Sequence, residues 1–380
     1  MGKAKNKSDV KVEDTNPDNS PKGESGDNGN DSTSGLSTAH VEPTTDTVNP
    51  KIAAILKAVN KKSGDTFGAR VKLGIPAKKK FLTGCFPLDY LTGGLAAGLV
   101  VFWGEERSGK STASARVVSA GQKRGETWAW VDAELNMGQN STWLEHQGVD
   151  VEKLIVIDSG TLENMLDVVV SLAREDLIDG FVIDSVAALQ PDGEVQTKKE
   201  VAKSLNDDTQ GLLQRKMGQF YRSIVGPCAK HNILGILVSQ GYCDINNYGM
   251  LVPKGGNAMK HFGQCRLRFR KGGKADNIII KQDKEEVVIG YSVYVEIEKV
   301  KQDGMKNLGT SIRIPFLLDS GYSDSLFIIE QAIAAGLIVQ NGAWYTFKDQ
   351  QLGQGYTALV NFNNPQIIEE LKHALYPSST

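Results

Sequence analysis

Long apolar runs, paired cysteines and net charge are what this 380-residue sequence has little of. No stretch of about 20 apolar residues occurs, so a membrane span is not expected. Met1 to Asn6 is basic but lacks the apolar segment of a secretory signal, and the chain is expected to be cytoplasmic. Four cysteines (Cys85, Cys228, Cys243, Cys265) are scattered without a C-x-x-C pair, which argues against a zinc ribbon and against a disulfide framework. The net charge of −2 is not that of a globally basic protein, so any phosphate contact must come from a local positive stripe. What remains, 40% hydrophobic and 23% charged residues, is the composition of an ordinary globular protein with more chain than one compact domain usually needs.

Residues 1–47 are rich in Ser, Thr, Asn, Asp, Gly and Pro and nearly devoid of large apolar side chains. Such a segment cannot bury enough surface to offset its ordering entropy, and a disordered acidic tail is expected. Over residues 48–80, Ile52, Ile55, Leu56 and Val59 recur at helical spacing, which predicts a short amphipathic helix and then a linker. Such a helix needs a surface to cover, supplied by its own domain or by a neighbouring subunit. Residues 81–320 alternate apolar strand candidates (Leu99 to Trp103, Thr127 to Val131, Leu154 to Ile157, Gly180 to Ile183, Ile233 to Val238) with helices (Thr112 to Lys123, Leu162 to Arg174, Gln210 to Lys230). This predicts an α/β core, a mainly parallel sheet with helices on both faces, with antiparallel additions at one edge from Cys265 onward. After Gly321 the composition shifts, and residues 321–380 read as a small α+β C-terminal domain.

The strongest local signal is Gly104-Glu105-Glu106-Arg107-Ser108-Gly109-Lys110-Ser111-Thr112, a G-x-x-x-x-G-K-[ST] loop between an apolar strand and a helix. Its glycines let backbone N–H groups turn inward around phosphate oxygens at a helix N-terminus. Lys110 is expected to reach the β and γ phosphates of ATP, and Ser111 to hold Mg²⁺. Gly180-Phe181-Val182-Ile183-Asp184-Ser185 delivers Asp184 at a strand's carboxyl end, suited to support the same ion. Trp130-Val131-Asp132-Ala133-Glu134 is a second strand with a carboxylate just past its end, and Glu134 is the candidate to activate the attacking water.

These blocks, with Phe81-Leu82-Thr83-Gly84-Cys85-Phe86-Pro87-Leu88-Asp89, Ile183-Asp184-Ser185-Val186-Ala187-Ala188-Leu189, Gly255-Gly256-Asn257-Ala258-Met259-Lys260 and Gly342-Ala343-Trp344-Tyr345, follow one another in an order that resembles the bacterial RecA recombinase family. The resemblance spans roughly Ile52 to Leu375. It implies a RecA-like P-loop ATPase core, an N-terminal helix that packs on the next protomer, and a helical filament of protomers on single-stranded DNA that pairs with double-stranded DNA. Single-strand-binding or mediator proteins are further partners of that kind of filament.

The resemblance also implies roles. Gln240, after the strand Ile233 to Ser239, would sense the γ-phosphate. Trp143 would stack on adenine. Lys299 and Lys301, on alternate positions of a strand end, would reach the ATP of the adjacent protomer. DNA would lie on two loops, about 190–210 (Lys198, Lys199, Lys203) and 241–257 (Tyr242, Tyr248, Met250, Gly255, Gly256, Asn257), and near Arg215 and Arg222. Two alternatives stand beside this reading: a RecA-fold helicase, and an accessory nucleotide-binding ATPase without strand exchange.

Overall fold

The computed structural model describes residues 51, 54, 55, 57–59 and 61, then 78–158, 160–192, 211–244, 250–254, 256–282, 285–302 and 305–376. The expected tail over residues 1–47 lies outside them. The chain divides into two units, Met1–Ile75 and Pro76–Thr380. In the first, the described residues between 51 and 61 are helical, as the spacing of Ile52, Ile55, Leu56 and Val59 predicts, and Ile55 and Val59 are exposed.

In the second unit the path begins with β1 (Lys80–Phe81), α1 (Phe86–Thr92), β2 (Leu95–Ala96), β3 (Gly98–Gly104), α2 (Lys110–Lys123), β4 (Trp128–Asp132), α3 (Met137–His146) and β5 (Ile155–Ile157). It continues through α4 (Leu162–Arg174), β6 (Gly180–Asp184), α5 (Leu212–His231), β7 (Leu234–Asp244), β8 (Met250–Pro253), α6 (Gly256–Phe262) and β9 (Cys265–Lys271). Then come β10 (Asn277–Gln282), β11 (Glu285–Val300), β12 (Ser311–Leu317) and β13 (Gly321–Tyr322). The main sheet runs β13-β12-β11-β9-β3-β7-β6-β4-β5, with β10 paired to β11 and β8 to β7. From β9 to β5 neighbouring strands are parallel, and from β9 to β13 they are antiparallel.

Strand composition explains the layering. Every residue of β3, Gly-Leu-Val-Val-Phe-Trp-Gly, is buried, as a central parallel strand covered on both faces requires. Val100 and Phe102 point into one core with Val117 and Val118 of α2, and Leu99 and Val101 into the other with Val169 of α4 and Ile224 of α5. In α4, Leu162, Met165, Leu166, Val169, Val170 and Ala173 are buried, the i, i+3, i+4 stripe that packs a helix on a sheet. A third core joins α7 (Asp324–Ala334), the small sheet β14 (Ile338–Asn341), β15 (Trp344–Phe347), β16 (Gln350–Gln354), α8 (Gly355–Val360) and α9 (Pro365–Leu375). Ser323 and Asn364 side chains cap α7 and α9 by accepting backbone N–H groups.

One expectation is corrected. The strand from Ile233 does not stop at Ser239; β7 runs on to Asp244 and folds back as a hairpin, with Gly241 opposite Pro253 and Asp244 opposite Met250. Gln240 therefore lies within a strand, and α6 begins at Gly256, so the Gly255 to Lys260 block is mostly a helix start. Nothing in the local pattern marks Tyr242 as a strand residue; it becomes one by standing opposite Val252 across the hairpin.

Before the core proper, the Asp89 carboxylate accepts the Thr83 N–H at 2.7 Å and fastens the turn into α1. Burial pushes that carboxyl up to about 6 against the opposing pull of the Thr83 bonds. A folded-state value above the unfolded one means that the charged form costs stability; the cost is absent below about pH 4 and complete above about pH 6. Asp89→Asn keeps the acceptor and removes the charge. Its melting midpoint should exceed that of the parent at pH 8 by up to the equivalent of about 3 kcal/mol, with the difference fading toward pH 4. An identical shift in melting midpoint at both pH values would contradict this.

Candidate nucleotide and DNA site

The site assembles at the carboxyl ends of adjacent parallel strands, where open α/β sheets bind ligands. Gly104 ends β3 opposite Gln240 of β7, and Asp132 ends β4 opposite Asp184 of β6. The loop after β3 curls back on α2, which begins at the lysine, with Gly109 in the left-handed conformation (φ 83°) as its N-cap. Lys110 is buried, and its ammonium donates to the Gly104 and Glu105 carbonyls and to Ser108 Oγ, so it fills the centre of the loop. Burial lowers the Lys110 pKa, countered by the Asp184, Glu134, Glu106 and Glu105 charges nearby. Glu106 and Arg107, 3.9 Å apart as a loose pair, stand out at the exposed tip.

Gly104 cannot carry a side chain. At its φ of 146° a Cβ would fall 1.8 Å from the Phe269 carbonyl oxygen of β9. Gly104→Ala should destabilise the unit by roughly 3 kcal/mol or more, since the clash is with backbone and the conformation is strained as well. A urea midpoint equal to that of the parent would contradict the close approach.

Beside the lysine, the Ser111 hydroxyl lies near enough to the Asp184 carboxylate to favour its charged form. Burial pushes that carboxyl up to about 6; the Ser111 hydroxyl and Lys110 pull it down, while Glu134 and Asp132 push it further up. A hydroxyl and a carboxylate facing a buried ammonium fit a magnesium nucleotide, because this hard cation takes oxygen donors and keeps several waters. Among the described residues no richer cluster of His, Cys, Asp and Glu could hold a metal. Glu134 lies just past β4, exposed, with its carboxylate accepting Ser185 Oγ at 2.8 Å and Asn136 Nδ2 at 3.3 Å. Asp132 instead accepts the Asn136 and Met137 N–H groups and fixes the turn that aims Glu134.

The loop rests on an aromatic brace absent from the local motif. Tyr291 of β11 donates to the Arg107 carbonyl at 2.8 Å and Tyr322 of β13 to the Gly109 carbonyl at 3.1 Å. Phe316 of β12 lies between them, stacked on Tyr291 and edge-on to Tyr322, with ring centroids 5.1 Å away in each case. No sequence signal near Gly104 points to residues about two hundred positions downstream.

Lys299 and Lys301 do share a face, and a β-bulge decides which one. In the pairing of β11 with β9, Ile297 opposes Leu267 and Lys299 opposes Arg266, so Glu298 is an extra residue. The slip turns Val300 inward with Ile297 and leaves Glu298, Lys299 and Lys301 on the other face. There Lys299 Nζ donates to the Lys260 and His261 carbonyls and Lys301 Nζ to that of His261, at the carboxyl end of α6. Burial lowers the Lys299 pKa, and Lys301 and Arg266 add to that.

Trp143 sits on α3, half-buried against the first core. Arg215 and Arg222 are exposed on α5, two turns apart and thus on one face, and the Gly218 between them adjoins Ala258 of α6. The Gln240 carbonyl accepts the Lys254 N–H at 3.1 Å, which ties the hairpin's return to the strand facing Gly104. Of the expected DNA residues, Lys198, Lys199, Lys203, Tyr248 and Gly255 lie outside the described residues; Gly256 and Asn257 open α6.

Strand, glycine loop, helix-borne lysine and paired strand-end carboxylates define an α/β protein of the P-loop class. Residues 50–311 match the RecA N-terminal domain and residues 327–377 the RecA C-terminal domain. The chain is similar to Protein RecA of Allorhizobium ampelinum, 30% identical over 346 residues that cover 88% of this chain and 90% of that one. It is also similar to Protein RecA of Sinorhizobium medicae, 31% identical over 300 residues that cover 77% and 78% of the two chains. The crystal structure of a KaiC-like protein from Pyrococcus horikoshii superposes with a TM-score of 0.44 at 16% identity, over 65% of this chain and 98% of that one. The chain belongs to the RecA family of recombinases.

Proposed function

We propose that this protein is a cytoplasmic, DNA-dependent ATPase that polymerises as a helical filament on single-stranded DNA, pairs it with homologous double-stranded DNA and exchanges the strands. The observation that carries the reading is the convergence of Lys110, Ser111, Asp184 and Glu134 at the ends of neighbouring strands in a chain of this family. Lys110 and the loop N–H groups bind the phosphates of ATP, and Ser111 and Asp184 hold Mg²⁺, which neutralises phosphate charge. Glu134, oriented by Ser185, takes the proton from the attacking water.

Gln240 lies where its strand runs on into the hairpin, so a change at the nucleotide is passed to the second DNA loop through the Lys254–Gln240 backbone bond. Arg215 and Arg222 face the DNA together with Lys198, Lys199, Tyr248, Gly255, Gly256 and Asn257. Lys299 and Lys301 complete the site of the adjacent protomer. Trp143 contributes the exposed part of its ring to the adenine.

The test is ATP hydrolysis with and without single-stranded DNA across protein concentration. Strong, concentration-dependent stimulation by DNA, followed by strand exchange between homologous substrates, is the expected result. Turnover that ignores DNA, or none at any concentration, would move the protein to an accessory ATPase.

A further inference from the structure

Glu298, the residue that the bulge in β11 sets apart, is hydrogen-bonded into a group of cations and holds two elements at once. One of its oxygens, Oε2, accepts the Trp103 indole N–H at 2.7 Å and the Arg266 Nε–H at 2.7 Å. Glu298 and Arg266 side chains are 17% and 20% exposed, enough shielding for their attraction to exceed that of a surface pair. Trp103 is buried and directly precedes Gly104, the first residue of the phosphate loop. The Arg268 guanidinium lies 5.3 Å from the centroid of the same indole. On the other side, Arg266 pairs in register with Lys299 and acts on its charge, and Lys299 and Lys301 both rest on the end of α6. Three cations side by side would repel one another, and Glu298 is the counter-charge that lets them stay together.

We infer that Glu298 is a positioning residue that couples consecutive nucleotide sites: it ties the strand leading into a protomer's own phosphate loop to the lysine pair that the same protomer offers to its neighbour. The inference rests on the proposed role of Lys299 and Lys301 at the adjacent site. A displacement of Trp103 when the loop closes on nucleotide is carried by one shared oxygen to Arg266 and so to the lysines. Occupancy at one interface then changes the cation placement at the next, which shows as cooperativity in ATP along the filament. The bulge makes this possible, because a regular strand would turn residue 298 and the lysines to opposite faces.

The test measures ATP hydrolysis on saturating single-stranded DNA as a function of ATP concentration for the parent, Glu298→Gln, Glu298→Asp, Trp103→Phe and Lys299→Ala, with thermal melts of each. Glu298→Gln and Trp103→Phe should each lower the Hill coefficient toward one and raise half-saturating ATP by roughly tenfold, the scale of one charge-assisted hydrogen bond. Maximal turnover should fall much less, and Glu298→Asp should restore part of the cooperativity. A merely structural role would lower the melting midpoint while leaving the Hill coefficient alone. If Lys299→Ala is defective but Glu298→Gln and Trp103→Phe keep the parent's Hill coefficient, the coupling is overturned and the lysine role stands. If Lys299→Ala itself turns over like the parent, both are overturned. Should Glu298→Gln fail to fold, Trp103→Phe decides: it removes the indole donor to the shared oxygen, and its own melt reads the accompanying loss of buried ring separately from the Hill coefficient.

Discussion

Glu134→Gln should bind ATP and DNA like the parent yet hydrolyse roughly 10²–10⁴-fold more slowly, the range lost when a positioned general base is removed. The carboxylate accepts Ser185 Oγ at 2.8 Å, and a glutamine oxygen can accept the same bond, so the side chain keeps its place. What is lost is the capacity to take a proton. Because Glu134 also helps to raise the Asp184 pKa, its neutralisation makes the Asp184 carboxylate easier to ionise, which favours rather than weakens cation binding. The expected outcome is a filament that forms in ATP and persists. Single-turnover hydrolysis and dissociation from a labelled oligonucleotide measure the two halves of this prediction. Rapid ATP-driven release from DNA by the variant would remove Glu134 from the proton-transfer role.

Removing both lysines proposed to act at the adjacent site should be as severe. Lys299→Ala combined with Lys301→Ala should lower DNA-stimulated hydrolysis by about 10³-fold or more, the magnitude associated with a cation supplied in trans to a phosphoryl-transfer site. Nucleotide binding to the isolated protomer should survive, since Lys110, Ser111 and Asp184 are untouched. A mixture separates trans from cis action. The lysine-deficient chain retains a good Glu134 and the Glu134→Gln chain retains good lysines, so random co-assembly creates up to about one complete interface in four. Turnover in the mixture well above that of either variant alone is the expected result. No recovery, with mixed filaments shown to form, would mean that the lysines act within their own protomer.

Much of the site was legible because its parts are short and periodic. An apolar strand followed by G-x-x-x-x-G-K-S specifies a phosphate loop through local geometry alone, and α2 begins at Lys110, within two residues of the expected Thr112. The run Gly180-Phe181-Val182-Ile183-Asp184 predicted a buried strand that ends in a carboxylate, and β6 ends there. Helix α4 occupies the span that its apolar spacing predicts, Leu162–Arg174. The overextended β7 was not legible: Gly241 looks like a strand end, and the partner strand that prolongs β7 begins only at Met250.

The sequence by itself determined which chemistry this protein has to offer: a lysine and a serine at the head of a helix, aspartate and glutamate at strand ends, and two lysines on alternate positions. Those facts depend on spacings of a few residues, where the backbone's period decides which side chains share a face. Only the tertiary structure decided what surrounds that chemistry. Tyr291 and Tyr322 reach the phosphate loop from 184 and 213 residues away, through the antiparallel strands that β9 adds to the sheet. The bulge at Glu298 arises from the register between β9 and β11, and it alone sets the face on which Lys299 and Lys301 stand and joins them to Trp103. A local pattern fixes alternation but not its phase. The phase is set by whichever strand pairs alongside, and that partner is chosen by the packing of the whole sheet.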